Sequence, residues 1–188
     1  VLREYLPEYA DILEAEGITL EKVFFTGDFL VPVTEDFDPR SPFIFPHLRI
    51  QLLQNIDDWL GTRYRFGGRS RRGIDCSAFT STIVVETLNQ DFRGTSRWQA
   101  RQFSPIFDTD SLQFGDMMFF TGTNRRSKRI GHVGIYLGNG VFAHSSTSKG
   151  VTYSHITDGY YTQRFRWGGR FILEDGGDAE REGVFVLP

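Results

Sequence analysis

The sequence has a single cysteine, Cys76, among its 188 residues. One cysteine cannot form an intramolecular disulfide, and without a second thiol no thiolate pair is available for a structural zinc site. A lone cysteine is most often a small apolar core residue, so its neighbours decide whether it has another role. The absence of a second thiol also fits an oxidising compartment, because Cys76 has no thiol partner within the chain.

Long apolar segments are missing as well. No stretch of the sequence approaches the roughly 20 apolar residues that a membrane-spanning helix needs, so we expect no transmembrane segment in this chain. The formal net charge is only −3, which gives no general reason to expect a nucleic-acid partner. The 39% of hydrophobic residues, with eighteen phenylalanines, is instead typical of one globular domain.

The order of predicted elements defines the fold class. Helical spacing of leucine and isoleucine predicts helices over residues 47–60 and 76–87. The predicted strands that follow cover residues 117–121, 132–137, 141–146 and 166–173. Helices followed by consecutive antiparallel strands belong to the α+β class.

Both ends of the chain differ from this main domain, residues 47–173. Residues 1–46 contain a predicted helix at 2–16, a strand-like segment at 23–33 and a proline-punctuated connector, and we interpret them as an extension docked on the main domain. Residues 174–188 form an acidic tail, part of which we expect to dock as well. Because the chain begins at Val1, we expect that a signal or lipid anchor was removed upstream.

Cys76 lies at the predicted start of the second helix. The unpaired N–H groups and positive end of a helix stabilise a thiolate, so this position is expected to lower the pKa of the thiol and make it a nucleophile. Such a nucleophile needs a base and an orienting group from elsewhere in the chain. The histidines available are His47, His132, His144 and His155.

His132 and His144 lie on the two arms of a predicted hairpin joined by Gly-Asn-Gly. A two-residue loop at 139–140 would point the two histidines to opposite faces of the sheet. A three-residue loop at 138–140 would make them diagonal neighbours on one face, with Gly140 in the left-handed region. We predict the three-residue loop.

This geometry would make His132 the general base for Cys76, while His144 would hold the His132 ring in its working tautomer. The alternative is that both are ordinary strand histidines. Their alternation with apolar residues favours function, because it places both on the side of the sheet away from one apolar layer. His47 and His155 lack comparable partners, and we assign them no catalytic role.

Several motifs occur together and in one order. They are YRFGG (64–68), GIDCS (73–77), TSRWQ (95–99), LQFGDMMFF (112–120), HVGIYLGNGVFAHSS (132–146) and Gly150-Val151. Over residues 48–173 the sequence thereby resembles the NlpC/P60 family of papain-like cysteine peptidases, which act on bacterial cell-wall peptides. The resemblance implies a papain-like fold, with N-terminal helices packed on a central antiparallel β-sheet, and identifies residues 47–173 as the catalytic domain.

The resemblance also implies roles for individual residues. Cys76 is the nucleophile, His132 the base and His144 the third polar residue of the catalytic set. Tyr64 lies beside the nucleophile and could help to stabilise the oxyanion.

Two further residues, Asp75 and Ser77, flank the nucleophile in the family's substrate cleft and are candidates for contacting the amine or amide of the stem peptide. Asp75 could instead cap the helix, or do both. The sequence departs from the common family pattern at Ala78, where glycine is usual, and at Phe66, where tryptophan is frequent, and we expect the geometry to survive both changes.

Two basic loops are a larger departure. They contain Arg69, Arg71, Arg72, Arg125, Arg126, Lys128 and Arg129. A solvated surface is the plain interpretation of such charges. Because both loops flank proposed active-site residues, we hypothesise a positive rim that attracts the carboxylates of stem peptides.

The resemblance therefore predicts a cysteine endopeptidase that hydrolyses amide bonds in peptidoglycan stem peptides or cross-links through a Cys76 acyl-enzyme, with no metal or organic cofactor. We expect a monomer located in the cell envelope, either periplasmic or secreted. The alternatives are a γ-D-glutamyl-diaminopimelate peptidase of wall-peptide recycling, a lipid acyltransferase and a catalytically inert wall-binding module.

Overall fold

The computed structural model describes residues 37–123 and 127–173. The predicted helix at 2–16, the strand-like segment at 23–33 and the tail at 174–188 lie outside these residues. The helices are α1 (Pro46–Trp59), α2 (Cys76–Leu88), α3 (Ser96–Ala100) and α4 (Gly159–Thr162), with 3-10 turns at Pro42–Ile44 and Thr109–Ser111. The strands are β1 (Arg69–Ser70), β2 (Gly73–Ile74), β3 (Met117–Thr121), β4 (Ile130–Gly138), β5 (Val141–Ser146), β6 (Gly150–His155) and β7 (Phe165–Gly169).

Strands β3 to β7 form one antiparallel sheet, in the order β6-β5-β4-β3-β7. The first two strands form a separate short hairpin just before α2. Helices before a five-stranded antiparallel sheet confirm the predicted α+β class.

The two faces of the sheet have different partners. The main core packs α1 and α2 against one face, through residues such as Ile56, Phe79 and Val133, which are fully buried. A smaller cluster that includes Phe120 and Phe142 covers the other face. The alternation of β4 and β5 places His132 and His144 on this second face, where their rings contact Phe120 and Phe142.

The β4–β5 turn differs from the predicted three-residue loop. Gly138 pairs with Val141, so the turn contains only two residues, Asn139 and Gly140. Their φ values, 47° and 78°, are both positive, as a two-residue hairpin turn of the primed type requires. The predicted loop length is therefore wrong.

The register beyond the turn is nevertheless the one that the three-residue loop would give. Ile135 pairs with Ala143 and Tyr136 with Phe142, and the register shifts between Tyr136 and Gly138. Leu137 is therefore the extra residue of a β-bulge, which offsets the shorter turn by one position. This compensation returns the two histidines to the same face.

The remaining predictions vary in accuracy. The helices predicted at 47–60 and 76–87 agree with α1 and α2 to within one residue at each end. The last predicted strand, 166–173, begins one residue earlier and ends at Gly169. Strand β6 was not predicted, although the alternation of buried Val151 and Tyr153 with less buried neighbours is typical of a strand. No helix in the described ranges is long and apolar enough to cross a membrane.

Candidate active site

Asp75 fixes the start of α2, where Cys76 is the first helical residue. Its carboxylate accepts a hydrogen bond from the backbone N–H of Ala78 at 2.8 Å, which is the geometry of an N-cap. The same oxygen accepts from the Ser77 hydroxyl at 2.9 Å, and the other accepts from the Gly67 N–H at 3.0 Å. The alternative that Asp75 caps the helix is confirmed, and contact of Asp75 or Ser77 with substrate stays a prediction.

A buried glutamine holds the first turn of α2 from the opposite side. The Gln99 side chain is fully buried and donates to the carbonyl of Ser77 at 3.0 Å, while its oxygen accepts from the Thr80 hydroxyl at 3.1 Å. Gln99 lies on α3 in the TSRWQ motif, and sequence analysis assigned it no role. It joins α3 to the backbone beside the nucleophile.

The thiol of Cys76 is only 6% exposed. Burial, together with the smaller effect of the Asp75 charge, raises the pKa of Cys76 to about 12. The N–H groups of Val133 and Ser77 act in the opposite direction but do not outweigh burial. The predicted lowering of the thiol pKa by the helix start is therefore wrong. Removal of the thiolate from water destabilises it by more than the helix N–H groups stabilise it.

His132 and His144 form the hydrogen-bonded pair that the register allows. Nε2 of His132 lies 2.9 Å from Nδ1 of His144, and the two rings are nearly perpendicular, at 88°. The predicted juxtaposition of the two histidines is confirmed. Because this bond uses Nε2, Nδ1 is the His132 nitrogen that remains for a proton from the thiol.

Both imidazoles are held in their neutral form. Burial lowers the pKa of His132 to about 4. Burial also lowers the pKa of His144 well below its usual range, and the nearby charges of His132 and Lys149 add to this effect. At neutral pH the Cys76 thiol and both imidazoles are therefore uncharged.

His144 is fully buried and has partners on both ring nitrogens. Its Nε2 lies 3.0 Å from the hydroxyl oxygen of Ser154, on β6, and 3.3 Å from that of Tyr161, on α4. The sequence did not identify either residue, since it did not predict the two elements that carry them.

Tyr64 and both histidines line one cleft of about 290 Å³. Burial raises the pKa of Tyr64 to about 12, and the charges of Cys76 and Asp75 contribute. A role of Tyr64 at the oxyanion stays a prediction. The lining of the cleft also includes three charged side chains that the sequence did not single out, Lys149, Asp158 and Arg164.

The basic loops are only partly described, since Arg125 and Arg126 lie outside the described residues. The Arg71 guanidinium lies 3.8 Å from the centre of the Trp59 ring and donates to the Asp58 carbonyl, so it packs against the end of α1. Arg69 and Arg72 are exposed, as are Lys128 and Arg129. The positive rim stays a prediction.

The other two histidines are exposed. His47 stacks loosely on Phe45, and the His155 ring contacts the Asn139 carbonyl and the Thr157 hydroxyl, both at 2.7 Å. His155 thus supports the β4–β5 turn. Among residues 37–123 and 127–173, no group of three or more His, Cys, Asp and Glu side chains is arranged to hold a metal ion.

Solved structures with the same fold are known. An NlpC/P60 family protein from Bacillus cereus superposes with a TM-score of 0.59 at 27% identity, covering 66% of this chain and 40% of that protein. The NlpC/P60 domain of the peptidoglycan hydrolase SagA superposes with a TM-score of 0.53 at 21% identity, covering 64% of this chain and 97% of that domain, which shows the fold alone.

Sequence relatives match the same region. The "Probable endopeptidase NlpC homolog" of Haemophilus influenzae is 38% identical over 109 residues, 58% of this chain and 55% of the relative. The "Murein DD-endopeptidase MepS/Murein LD-carboxypeptidase" of Escherichia coli K12 is 33% identical over 119 residues, 63% of this chain and 60% of the relative. The chain therefore spans little more than half the length of these two relatives. The model of the NlpC/P60 family matches residues 61–170, and the chain belongs to this family.

Proposed function

We propose that this chain is a cysteine endopeptidase that hydrolyses an amide bond of peptidoglycan stem peptides or cross-links. The observation that carries the proposal is the 2.9 Å bond from His132 Nε2 to His144 Nδ1, together with the backbone N–H of Val133, next to His132, which acts on the Cys76 thiol. Relatives named as a murein DD-endopeptidase and a probable endopeptidase support the substrate class. Action on peptidoglycan implies a location in the cell envelope.

The reaction begins with proton transfer. His132 Nδ1 takes the proton of the Cys76 thiol as the sulfur attacks the carbonyl carbon of the scissile amide, which gives a tetrahedral intermediate. His132 then gives this proton to the leaving nitrogen, the C–N bond breaks, and an acyl-enzyme with a thioester at Cys76 remains. Water attacks the thioester with His132 again as base, which releases the acid and restores the thiol.

The neutral resting state decides when the thiolate forms. With the pKa of Cys76 raised to about 12 and that of His132 lowered to about 4, a thiolate-imidazolium pair is disfavoured before substrate binds. Proton transfer therefore accompanies attack on the substrate, and His132 acts as a general base rather than as the counter-ion of a preformed thiolate.

The oxyanion needs donors that are already in place. The N–H groups at the start of α2 lie beside the sulfur, and N–H groups of Cys76 and Ser77 lower the pKa of the thiol. The Tyr64 phenol is protonated at neutral pH, since its pKa is raised to about 12, and it can donate to the developing negative charge.

The charges at the cleft suit an anionic peptide. Lys149 and Arg164 give the cleft lining two positive charges against one negative charge on Asp158. Stem peptides with D-glutamate and diaminopimelate carry several carboxylates, which these cations and the exposed Arg69 and Arg72 would attract.

The positive rim has its own test. Because Arg71 packs on Trp59, its reversal would also disturb α1, so the exposed Arg69 and Arg72 are the better positions for charge reversal. If the rim steers substrate, Arg69→Glu with Arg72→Glu lowers kcat/KM at low salt, and the deficit shrinks as salt is added. Identical kcat/KM at low salt would reject the rim.

The proposed function is tested by mass spectrometry of purified peptidoglycan and soluble muropeptides after incubation with the protein and with Cys76→Ala. Cys76-dependent loss of cross-linked dimers identifies a cross-link endopeptidase. Cleavage within monomer stems identifies instead a γ-D-glutamyl-diaminopimelate peptidase or a carboxypeptidase. No cleavage of either substrate, with Cys76 readily alkylated, would contradict the proposed substrate, and an unreactive Cys76 would favour an inert wall-binding module.

A further inference from the structure

The hydrogen-bonded chain does not end at His144. The Nε2 atom of His144 faces two hydroxyl groups, Ser154 Oγ at 3.0 Å and Tyr161 Oη at 3.3 Å. These groups come from β6 and α4, on the side of His144 opposite His132. The Tyr161 ring also packs edge-on against His144, with ring centres 5.2 Å apart.

Proton counting shows what these hydroxyls must do, given the proposed function. For His132 Nδ1 to accept the thiol proton, the neutral ring must carry its hydrogen on Nε2 and donate it to His144 Nδ1. His144 is then an acceptor at Nδ1, so its own hydrogen is on Nε2. That N–H is fully buried and requires an acceptor, which the oxygens of Ser154 and Tyr161 supply.

The opposite tautomer of His144 would stop the reaction. With its hydrogen on Nδ1, His144 would donate to His132 Nε2, and the neutral His132 would carry its hydrogen on Nδ1. That nitrogen could not accept the proton of Cys76. The balance between the two tautomers therefore controls the fraction of protein in which the base is competent.

The Tyr161 hydroxyl can accept the His144 N–H when its own hydrogen is directed to a neighbouring serine. Burial raises its pKa above the ordinary value, so the phenol is protonated, while hydrogen bonds to the hydroxyls of Ser154 and Ser146 act in the opposite direction. A phenol that donates to a serine keeps its oxygen lone pairs for the His144 N–H. The three hydroxyls thus form a polar layer behind His144.

We propose that Ser154 and Tyr161 are positioning residues that jointly hold His144 in the Nε2–H tautomer, and that either hydroxyl suffices. The inference rests on the proposed function for its relevance to catalysis, but it concerns the reactivity of Cys76 with any electrophile. Removal of one hydroxyl leaves the other as acceptor. Removal of both leaves the buried Nε2–H without an acceptor in the competent tautomer and Nε2 without a donor in the other, and the unpaired N–H is the costlier of the two.

The test is the rate of alkylation of Cys76 by iodoacetamide, which reports a single thiol because the chain has one cysteine. We expect Ser154→Ala and Tyr161→Phe each to slow alkylation less than about threefold, and the double variant to slow it about 10-fold to 100-fold, toward the rate of His132→Ala. Ser154→Thr combined with Tyr161→Phe should react at about the rate of Tyr161→Phe alone, since threonine keeps the hydroxyl that Ser154→Ala removes.

Controls separate this role from a structural one. Tyr136→Phe removes a phenol on the same face of the sheet, one that binds the Gly140 N–H, and should leave the rate unchanged. Nitrogen NMR of the imidazoles should show His144 as the Nε2–H tautomer in the wild type and a mixture in the double variant, which also shows whether that variant is folded.

Two results would overturn the inference. One is a slowing of alkylation in the folded double variant equal to the product of the two single slowing factors. The other is a His144 that keeps the Nε2–H tautomer in the double variant. Failure of the proposed function appears separately, as absence of peptidoglycan cleavage by a wild-type protein whose alkylation follows the expected pattern.

Discussion

The imidazoles of His132 and His144 are joined by a 2.9 Å hydrogen bond although the hairpin between them has a two-residue turn. A two-residue turn alone would place the two rings on opposite faces of the sheet, and the bulge at Leu137 reverses this. The pairing of these two histidines therefore depends on a backbone irregularity in β4, five residues from His132.

Gly134 provides the first test of this geometry, because it lies beside His144 in the neighbouring strand. A Cβ at position 134 would lie 2.8 Å from the Ala143 carbonyl and 3.3 Å from His144 Cβ. We expect Gly134→Ala to displace β5, to lower the free energy of unfolding by about 1–3 kcal/mol and to lower kcat. Denaturant unfolding and peptidoglycan turnover measure the two effects.

Gly159→Ala is the matched control for Gly134→Ala, since a methyl group there meets no atom within 4 Å. Its unfolding midpoint and kcat should remain close to those of the wild type. Wild-type turnover in Gly134→Ala would show that the spacing of β4 and β5 at His144 is not critical.

The pH dependence of thiol reactivity follows from the raised pKa of Cys76. Below a pKa of about 12, the free thiolate fraction rises tenfold for each pH unit, so in His132→Ala, which lacks the base, the logarithm of the alkylation rate should rise linearly with pH from about 6 to about 9. In the wild type, assistance by the neutral His132 should make the rate depend less on pH. A stopped-flow series with iodoacetamide measures this slope. A plateau for His132→Ala in this range would contradict the raised pKa of Cys76, because it would indicate a thiolate already formed without the base.

The two roles of Asp75 can be separated by two substitutions. Asp75→Ala removes the oxygen that accepts the Ala78 N–H and should lower the free energy of unfolding by about 1 kcal/mol. Asp75→Asn keeps a capping oxygen, so its loss in free energy of unfolding should be smaller. Thermal or urea unfolding measures both.

If Asp75 also contacts the amine of the substrate, Asp75→Asn should raise KM while stability is nearly preserved. Equal KM values for the wild type and Asp75→Asn would leave Asp75 with the capping role alone.

His144 should affect turnover more than binding, since it acts through His132. We expect His144→Ala to lower kcat about 10²-fold to 10⁴-fold with little change in KM. His144→Asn should lose less, because an amide oxygen near the position of Nδ1 can still accept the His132 N–H. Steady-state kinetics on purified muropeptides give both parameters, and an unchanged kcat in a folded His144→Ala would remove His144 from the mechanism.

The sequence predicted those parts of the fold that repeating patterns control. The spacing of Leu52 and Ile56 indicated α1, and the apolar segments indicated strands β3, β4 and β5 within one or two residues. The pairing of the histidines was also predictable, because only one register brings both to a single face.

What could not be predicted depends on tertiary packing. The bulge at Leu137 arises from the fit of a primed turn to the strands. The sequence does not distinguish a three-residue loop from a two-residue turn with a bulge, because both produce the same register beyond the turn. The prediction for the pKa of Cys76 was wrong because the local sequence indicates its position at a helix start but not its burial. Ser154 and Tyr161 approach the cleft from elements that carry only weak sequence signals, and Arg164 approaches it from the short connection after α4.

The most direct test of a Cys76–His132 peptidase is cleavage of purified peptidoglycan, measured as the release of soluble peptide. The wild type, Cys76→Ala and His132→Ala are compared at equal concentration. With all three proteins folded by circular dichroism, the proposed mechanism predicts release by the wild type and a loss of at least about 10³-fold in each variant. Release by either variant at a rate near that of the wild type would contradict it.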